Sequence, residues 1–548
     1  MRATFARLYL MLAVLCPGTS GLRCAQPAPT NAPSAAATSD LDAPVRAALE
    51  RPAVPGSVPL VLKVPAEGTV VPWTFPRFDV LWDDGFQANA FRVRVSVEGN
   101  PAVLDAFTDG RRLRFDEARW GRVREAAGEG GAFEVALTAA SVLPDGTPLR
   151  GPLTVTARAR FSAEGEHPTG HVLYSWVARA VGVNTAPFNR RWTRDGVAMR
   201  EDMQGHAEAV VTRFPWTREG QAEPEGGRDP ALESLRTEHE DTPSVSVDLT
   251  PVSRKPGEPA WLDRLRVTGN CMGCHVESRD GSYLAVNADD ERVALADRDY
   301  GLGTYFVLSR ADGRLLQSIP SAGHPRFNPV DPGLLLYTRS ENLLDMDEHS
   351  SLLRADVHVM DVRTGADHAV PGAGEPDRCE IFPEWSPDGR TIAFSRSAPR
   401  EPCEGHRGRL EIATVPWNDG GGGPATPLPG ARDTGRSNVR PRYSPDGRWL
   451  VFFGPRGGHY IQNSSDLFVI PALGGSPRRL EVSTDAMENW QAFSLDGRWL
   501  VFTTNRDRVD RARAYIARFF DDGHAAPAVP MPVSGGPDVF ASRTDWGP

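Results

Sequence analysis

Arg440-Pro-Arg-Tyr-Ser-Pro-Asp-Gly-Arg-Trp-Leu-Val-Phe452 holds two strand ends and the turn between them. Tyr443 closes the first run. Ser-Pro-Asp-Gly then makes a tight turn, in which Pro fixes φ and Gly supplies φ > 0. Trp449-Leu-Val-Phe452 reads as the apolar strand that follows. Phe382-Pro-Glu-Trp-Ser-Pro-Asp-Gly-Arg-Thr-Ile-Ala-Phe394 repeats the pattern, and so does Trp490-Gln-Ala-Phe-Ser-Leu-Asp-Gly-Arg-Trp-Leu-Val-Phe502. Weaker copies stand at His324-Pro-Arg-Phe-Asn-Pro-Val-Asp-Pro-Gly-Leu-Leu-Leu-Tyr337 and His275-Val-Glu-Ser-Arg-Asp-Gly-Ser-Tyr-Leu-Ala-Val286. The turn glycines Gly281, Gly333, Gly389, Gly447 and Gly497 lie 50 to 58 residues apart. Each step has room for a four-stranded sheet, and such a period in strand-rich sequence predicts a β-propeller.

These copies resemble the TolB-type repeat (of the PD40 or WD40-like kind) found in bacterial periplasmic six-bladed propellers. The resemblance covers residues 270–505, with three full copies and two partial ones. It implies a six-bladed propeller over 165–548. The sixth blade is expected from the 166–262 region, closed by the C-terminal strand segment.

Upstream the rhythm changes. Val58-Pro-Leu-Val-Leu-Lys-Val64, Phe78-Asp-Val-Leu-Trp82, Phe91-Arg-Val-Arg-Val-Ser-Val97, Phe133-Glu-Val-Ala-Leu137 and Leu153-Thr-Val-Thr-Ala157 alternate apolar and polar residues. Short period-two runs separated by Gly, Pro and Asp predict half-buried strands. Residues 56–164 are therefore expected to form an immunoglobulin- or fibronectin-type β-sandwich with Trp82 facing inward. The fold class as a whole reads as all-β.

The 548 residues include 53 Gly and 48 Pro, a usage that favours many turns. With 61 Lys and Arg against 71 Asp and Glu, the net charge is −10. An acidic chain with no concentrated basic stripe gives nucleic acid no electrostatic footing. Residues 1–21 open with Arg2 and Arg7, continue with the apolar run Leu8 to Leu15 and end in small residues, the pattern of a secretory signal peptide. That run is too short to span a bilayer, which needs about 20 apolar residues, and no later stretch is long enough. Cys24 follows Arg23 and Cys16 follows Leu15, which argues against lipoprotein processing. The expected location is periplasmic or secreted. Residues 22–55, rich in Ala, Pro, Ser and Thr, read as a disordered tether.

Export changes how the six cysteines are read. Cys379 and Cys403 bracket one strand-turn unit and are expected to form a disulfide in an oxidising compartment. Cys271-Met-Gly-Cys274-His275 has the CxxCH spacing of covalent c-type haem attachment. Two thiols at that spacing reach the two vinyl groups of one porphyrin, and the adjacent imidazole meets the iron. Chance supplies roughly 0.001 such motifs in a chain of this composition. The reading is one haem c, with Cys271 and Cys274 as thioether donors and His275 as proximal ligand. The other readings of the motif are a CxxC disulfide or thiol pair at a blade edge and a zinc site completed by a distant His.

Ordinary monohaem cytochromes carry the motif on a helix, whereas here it runs directly into strand sequence. The arrangement resembles TolB-like propeller proteins that carry a haem-attachment motif at a blade start. Alignment on the turn Asp places His275 at the position of Pro383 and Pro441, and His324 at that of Cys274. His324 is therefore the leading distal ligand, with Met346, Met360 and Met487 competing; a Met ligand would raise the potential. A turn-region His bonded within its own blade and Met side chains packed in a core are the structural alternatives.

The phrase His324 to Pro332 also resembles a blade segment of oligogalacturonide lyases, propellers with a metal-binding channel. That resemblance implies His324, Glu380 and Arg440 as channel residues for a metal and an acidic sugar. Asp345-Met-Asp-Glu348-His349 is a small acidic cluster that reads first as a solvated loop, with a Ca²⁺ or Zn²⁺ site as the other reading. Gly420 to Gly423 lacks the helix and Lys of a phosphate cradle and reads as a slack loop. No Gly-x-Ser-x-Gly elbow is present. The sequence thus favours an exported haem protein passing electrons in the cell envelope, with a redox or envelope protein as partner. A haem-free scaffold binding protein or glycan is the rival, and a metal-dependent lyase the third reading.

Overall fold

The computed structural model describes residues 41–53, 60–168, 171–179, 207–215, 236–238, 245–247, 275–288, 302–309, 311, 314–340, 354–401, 403, 409–432, 434–456, 464–508, 511–531 and 539–547. Residues 1–21, expected as a signal peptide, Cys271, Cys274 and the Asp345–His349 cluster lie outside these residues.

A short helix, α1 (Ala43–Leu49), precedes the first strand. It corrects the expected tether over 22–55, because this part is ordered. Ala48 and Leu49 are buried against Ala90, Ala140 and Val142, with Leu41 and Val45 beside them. Those four apolar positions recur at helical spacing, a pattern that the Ala/Pro-rich window around them dilutes.

Eight strands and one helix follow. β1 (Leu60–Val64), β3 (Phe78–Asp84) and β6 (Arg112–Phe115) form one sheet. β2 (Thr69–Val71), β4 (Ala90–Val97), β5 (Asn100–Thr108), β7 (Ala132–Val142) and β8 (Pro148–Phe161) form a second, in the order β2-β8-β7-β4-β5. All pairings here are antiparallel except β2 with β8, which is parallel. The helix α2 (Glu117–Ala127) is capped by Asp116, whose side chain accepts from the Arg119 amide. Its Trp120 is fully buried, stacks on Phe78 at 4.4 Å and meets Phe133 edge-on at 5.5 Å. Trp82 is also buried, against Phe91 at 5.2 Å, but Trp120 sits at the centre of this aromatic cluster.

The remaining strands repeat a four-stranded plan. β20 (Glu380–Trp385), β21 (Thr391–Ser397), β22 (Leu410–Pro416) and β23 (Thr426–Pro427) form one antiparallel sheet. β24 (Val439–Tyr443), β25 (Trp449–Gly454), β26 (Asp466–Pro471) and β27 (Arg478–Arg479) form the next. β28 (Glu488–Phe493), β29 (Trp499–Arg508), β30 (Arg511–Arg518) and β31 (Val529–Pro530) form a third. Before them run β13 (His275–Glu277), β14 (Tyr283–Ala288), β15 (Leu302–Ser309), β16 (Leu315–Phe327), β17 (Leu334–Arg339), β18 (Asp356–Asp361) and β19 (Asp367–Ala369), joined in one sheet. The long β16 is shared: one half pairs with β15 and the other with β17, so this sheet contains two of the four-stranded units. Repeated blades of this kind make the chain a β-propeller.

β9 (His171–Arg179) pairs with β10 (Ala207–Pro215) and with the C-terminal β32 (Val539–Gly547). β32 also packs against β28, β30 and β13. The end of the chain is thereby built into a sheet begun far upstream and lies beside both the last blade and the earliest repeat.

The repeat turn explains its own sequence. Ser444 Oγ donates to Asp446 Oδ1 at 2.5 Å and accepts from the Trp449 amide, while Asp446 Oδ1 accepts from the Arg448 amide. Gly447 completes the turn at φ 72°. The same bonds recur at Ser386 and Asp388, at Ser494 and Asp496, and between Ser278 and Asp280. In the fifth turn Asn328 Oδ1 accepts from the amides of Val330 and Asp331, an amide side chain replacing the Ser. At the outer rim neighbouring blades touch backbone to backbone. A Cβ at Gly430 would fall 1.6 Å from Gly475 O, so only glycine fits there.

Candidate functional site

Four inner strands break their pairing at the same place. Register shifts fall between Ile381 and Glu384, between Val439 and Arg442, between Asn489 and Ala492, and between Gly323 and Arg326. Inside these gaps His324, Phe382, Arg440 and Trp490 have φ of 54°, 56°, 57° and 53°. A left-handed residue at a bulge turns its side chain away from the pleat direction, and here the four side chains converge. The His324 and Phe382 ring centroids are 3.9 Å apart, and those of Phe382 and Trp490 are 6.2 Å apart. The Arg440 guanidinium lies 4.8 Å over Trp490, and its Nη1 donates to Gln491 O. Residues 50 to 58 apart in sequence are thus packed together.

One turn along the inner strands toward the Ser-Pro-Asp-Gly side, the chemistry becomes ionic. Glu384 Oε2 accepts from Arg326 Nε at 3.1 Å and also from Arg442 Nη1. These three residues come from three successive inner strands. They line a cavity of about 160 Å³ together with Val276, Glu277, Arg279, Phe327, Trp385, Tyr443 and Phe493. Arg442 is 6% exposed. Burial, and the Asp388 charge beside it, push the Tyr443 phenol up, so it remains a hydrogen donor.

Of the residues expected to attach haem, Cys271 and Cys274 lie outside the described residues and His275 lies within them. His275 opens β13, its backbone opposite Val286, in the register the later blades use: Val276 faces Ala285 as Glu384 faces Ala393. Val276, two residues after Cys274, already belongs to the cavity wall. His324 Nδ1 lies 3.2 Å from Thr338 Oγ1 in the adjacent strand of its own blade. Met360 and Met487 are 8% and 5% exposed, and Met360 packs with Val276, Tyr305 and Tyr337. Met346 is outside the described residues.

Cys379 and Cys403 form a disulfide with Cα atoms 5.2 Å apart, and both are fully buried. Next to it, Glu380 is fully buried as well. Its Oε2 accepts from the Glu375 amide, while Oε1 has no hydrogen-bond partner. Burial pushes this carboxyl up to about 8; the Glu375 amide opposes the shift and the charges of Asp356 and Glu375 add to it. Glu380 and Arg440 are both buried. Among the described residues no group of three or more His, Cys, Asp or Glu is arranged to hold a metal ion. Gly420–Gly423 closes the turn between β22 and β23, and Gly423 N donates to Pro371 O of the preceding blade.

The charged arch was not foreseen in the sequence. Its members occupy one repeat position, Arg326, Glu384, Arg442, and the alternation of sign down that column was the available signal.

No family model matches the chain, and no curated protein matches it in sequence. Solved structures similar to it include TolB from Acinetobacter baumannii, at 14% identity over 77% of this chain and 80% of that one, with a TM-score of 0.38. Kuenenia stuttgartiensis hydrazine synthase aligns at 14% identity over 49% of this chain and 79% of that one, with a TM-score of 0.33. Oligogalacturonate lyase from Vibrio parahaemolyticus aligns at 15% identity over 48% and 71%, with a TM-score of 0.32. The fold assignment rests on the blades of the chain itself. No helix among the described residues is long and apolar enough to cross a membrane.

Proposed function

We propose that the chain is an exported six-bladed propeller that carries one covalent haem c at the start of its first full repeat and passes electrons in the cell envelope. An N-terminal sandwich of immunoglobulin or fibronectin type would serve with the propeller as a docking surface for a redox or envelope partner. The feature that carries this reading is the sequence Cys271-Met-Gly-Cys274-His275, whose His275 opens strand β13 and whose next residue, Val276, lines the cavity. Six inner strands support the blade count: β13, the second half of β16, β20, β24, β28 and the returning β32.

The donor set suits the group. Cys271 and Cys274 would form the thioethers and His275 would ligate iron, held by a sheet rather than by a helix. Bound there, the haem would supply one-electron exchange between two iron oxidation states. Any ligation by His324 would use Nε2, since Nδ1 is engaged by Thr338. The packing of Met360 and Met487 supports a structural role for both.

The test is a pyridine haemochrome spectrum on full-length protein matured with a haem-attachment system. A c-type α-band that survives acid–acetone extraction is expected, and Cys271→Ala/Cys274→Ala should abolish it. Wild-type protein without an α-band would end the haem reading in favour of a haem-free docking propeller.

A further inference from the structure

We propose that the cavity at the turn side of the channel binds a neutral sugar, taking one terminal ring of a glycan. A guanidinium carries five N–H donors. That of Arg442 is 6% exposed, and among the described residues its one hydrogen bond runs from Nη1 to Glu384 Oε2. Its Nε is buried without a partner, so Nη2 is the donor left to the cavity that Arg442 lines. Arg326 donates to the same Glu384 Oε2, and Oε1 is thereby the acceptor that Glu384 has to offer. Tyr443 lines the same cavity; burial, with the Asp388 charge beside it, keeps its phenol protonated, able both to donate and to accept.

This mixture selects its occupant. A further anion would be buried against Glu384 and a further cation against Arg442, each a like-charge contact in a space that water screens poorly. A hydroxyl group both donates and accepts. Neighbouring hydroxyls on one ring therefore answer Arg442, Glu384 and Tyr443 without bringing in charge. Phe327, Trp385 and Phe493 supply apolar wall for the C–H face of such a ring. The cavity, of about 160 Å³, lies below the roughly 300–1,000 Å³ of drug-sized sites and suits a single ring. Two residues back along the inner strands, the rings of His324 and Phe382 pack at 3.9 Å and those of Phe382 and Trp490 at 6.2 Å. The site ends on these packed side chains, so it takes the end of a glycan, not a chain threaded through.

The test titrates full-length protein with methyl glucoside, methyl galactoside, methyl mannoside and N-acetylglucosamine by saturation-transfer NMR and calorimetry. Methyl glucuronide and glucosamine serve as the charged counterparts. At least one neutral sugar should bind, about tenfold or more tighter than either charged one, with an affinity that salt leaves unchanged. Tyr443→Phe keeps the ring and removes one hydroxyl, and should weaken that sugar about three- to tenfold. Glu384→Gln should narrow the gap between the neutral sugar and methyl glucuronide. No binding of any neutral sugar, tighter binding of a charged one, unchanged affinity in Tyr443→Phe, or an unchanged gap in folded Glu384→Gln would overturn the proposal. Tyr443→Phe decides the matter where Glu384→Gln does not fold. Sugar binding at this cavity does not require haem, so a protein without an α-band that still binds a neutral sugar fails the function proposed above and leaves this site standing.

Discussion

Asp79, in the N-terminal sheets, accepts from Arg513 of the last four-stranded blade at 3.2 Å, across 434 residues of chain. Arg114 holds the same carboxylate from its own sheet through two bonds of 2.6 and 2.9 Å, and Arg513 also pairs with Asp507 at 2.8 Å. Asp79 and Arg513 are 8% and 11% exposed. Nearby, Trp499 Nε1 donates to Glu166 O, so the two regions share polar as well as apolar contacts.

Asp79→Ala leaves Arg114 and Arg513 buried without their shared anion. Removing one member of a buried pair costs about 3–5 kcal/mol, and that loss is the expected outcome in urea denaturation. Arg92→Ala, whose partner Asp105 is 33% exposed, should cost under about 1 kcal/mol. Burial pushes the Asp79 carboxyl up, but the Arg114 bonds and the charges of Arg513 and Arg114 outweigh it and hold the group at about 2. A depressed carboxyl contributes stability above its unfolded value of 3.8 and loses it as pH falls toward 2. The expected loss between pH 4 and 2 is about 2 kcal/mol, and Asp79→Asn should flatten that limb. Parallel acid limbs in the two proteins would refute the assignment.

Glu380 predicts the opposite slope. Its folded carboxyl, at about 8, lies above the unfolded value of 4.5, so the folded state holds the extra proton in between. That stability is complete below pH 4.5 and disappears as pH rises through 8, a swing of about 3–5 kcal/mol. The groups facing it are Asp356, Glu375 and Arg396, and Arg396 is itself bonded to Glu411. Glu380→Gln keeps the shape without the proton. The melting temperature should match wild type at pH 5 and exceed it at pH 8.5; equal curves at both values would show that Glu380 does not titrate in this range.

What was legible in the sequence follows from what is local. The repeat turns close on local bonds, as from the Trp449 amide to Ser444, so three full and two partial copies could be read directly. The strands at 78–82, 91–97 and 133–137 announced themselves by alternation. The helix α2 did not, because Trp120 and Val123 are its only buried residues and give too narrow a stripe. The arch at the channel mouth joins Arg326, Glu384 and Arg442, each unremarkable in its own strand. Only the closure of the blades brings the column together. The convergence of His324, Phe382, Arg440 and Trp490 is non-local in the same sense, and it depends on left-handed backbone that Phe and Trp rarely adopt.

The disulfide closes a loop with a sequence separation of 24 around β21. Cross-linking a loop of that size restricts the unfolded chain by about 3 kcal/mol. Cys379→Ser/Cys403→Ser should lose about that much in guanidinium denaturation. Added reductant should destabilise wild type to the same level and leave the variant unmoved. A reductant effect that persists in the variant would assign it to other cysteines.

Two glycines should respond to alanine with opposite signs. Gly447 sits at φ 72° in its turn, and a Cβ there would meet only the Pro387 ring at 3.9 Å. There is room for the methyl group, so the cost is backbone strain alone, about 1–2 kcal/mol for an L-residue in the left-handed region. Gly121 lies in the interior of α2, and its added Cβ would touch only Arg124 Nη2 at 3.9 Å. Helix propensity then favours Ala by about 1 kcal/mol, chiefly by reducing the freedom of the unfolded chain. Gly447→Ala should therefore lower the denaturation midpoint and Gly121→Ala should raise it, at unchanged m-value. A rise for Gly447→Ala would mean that this turn does not hold its glycine in the left-handed region, and the common geometry assigned to the repeat turns would fall with it.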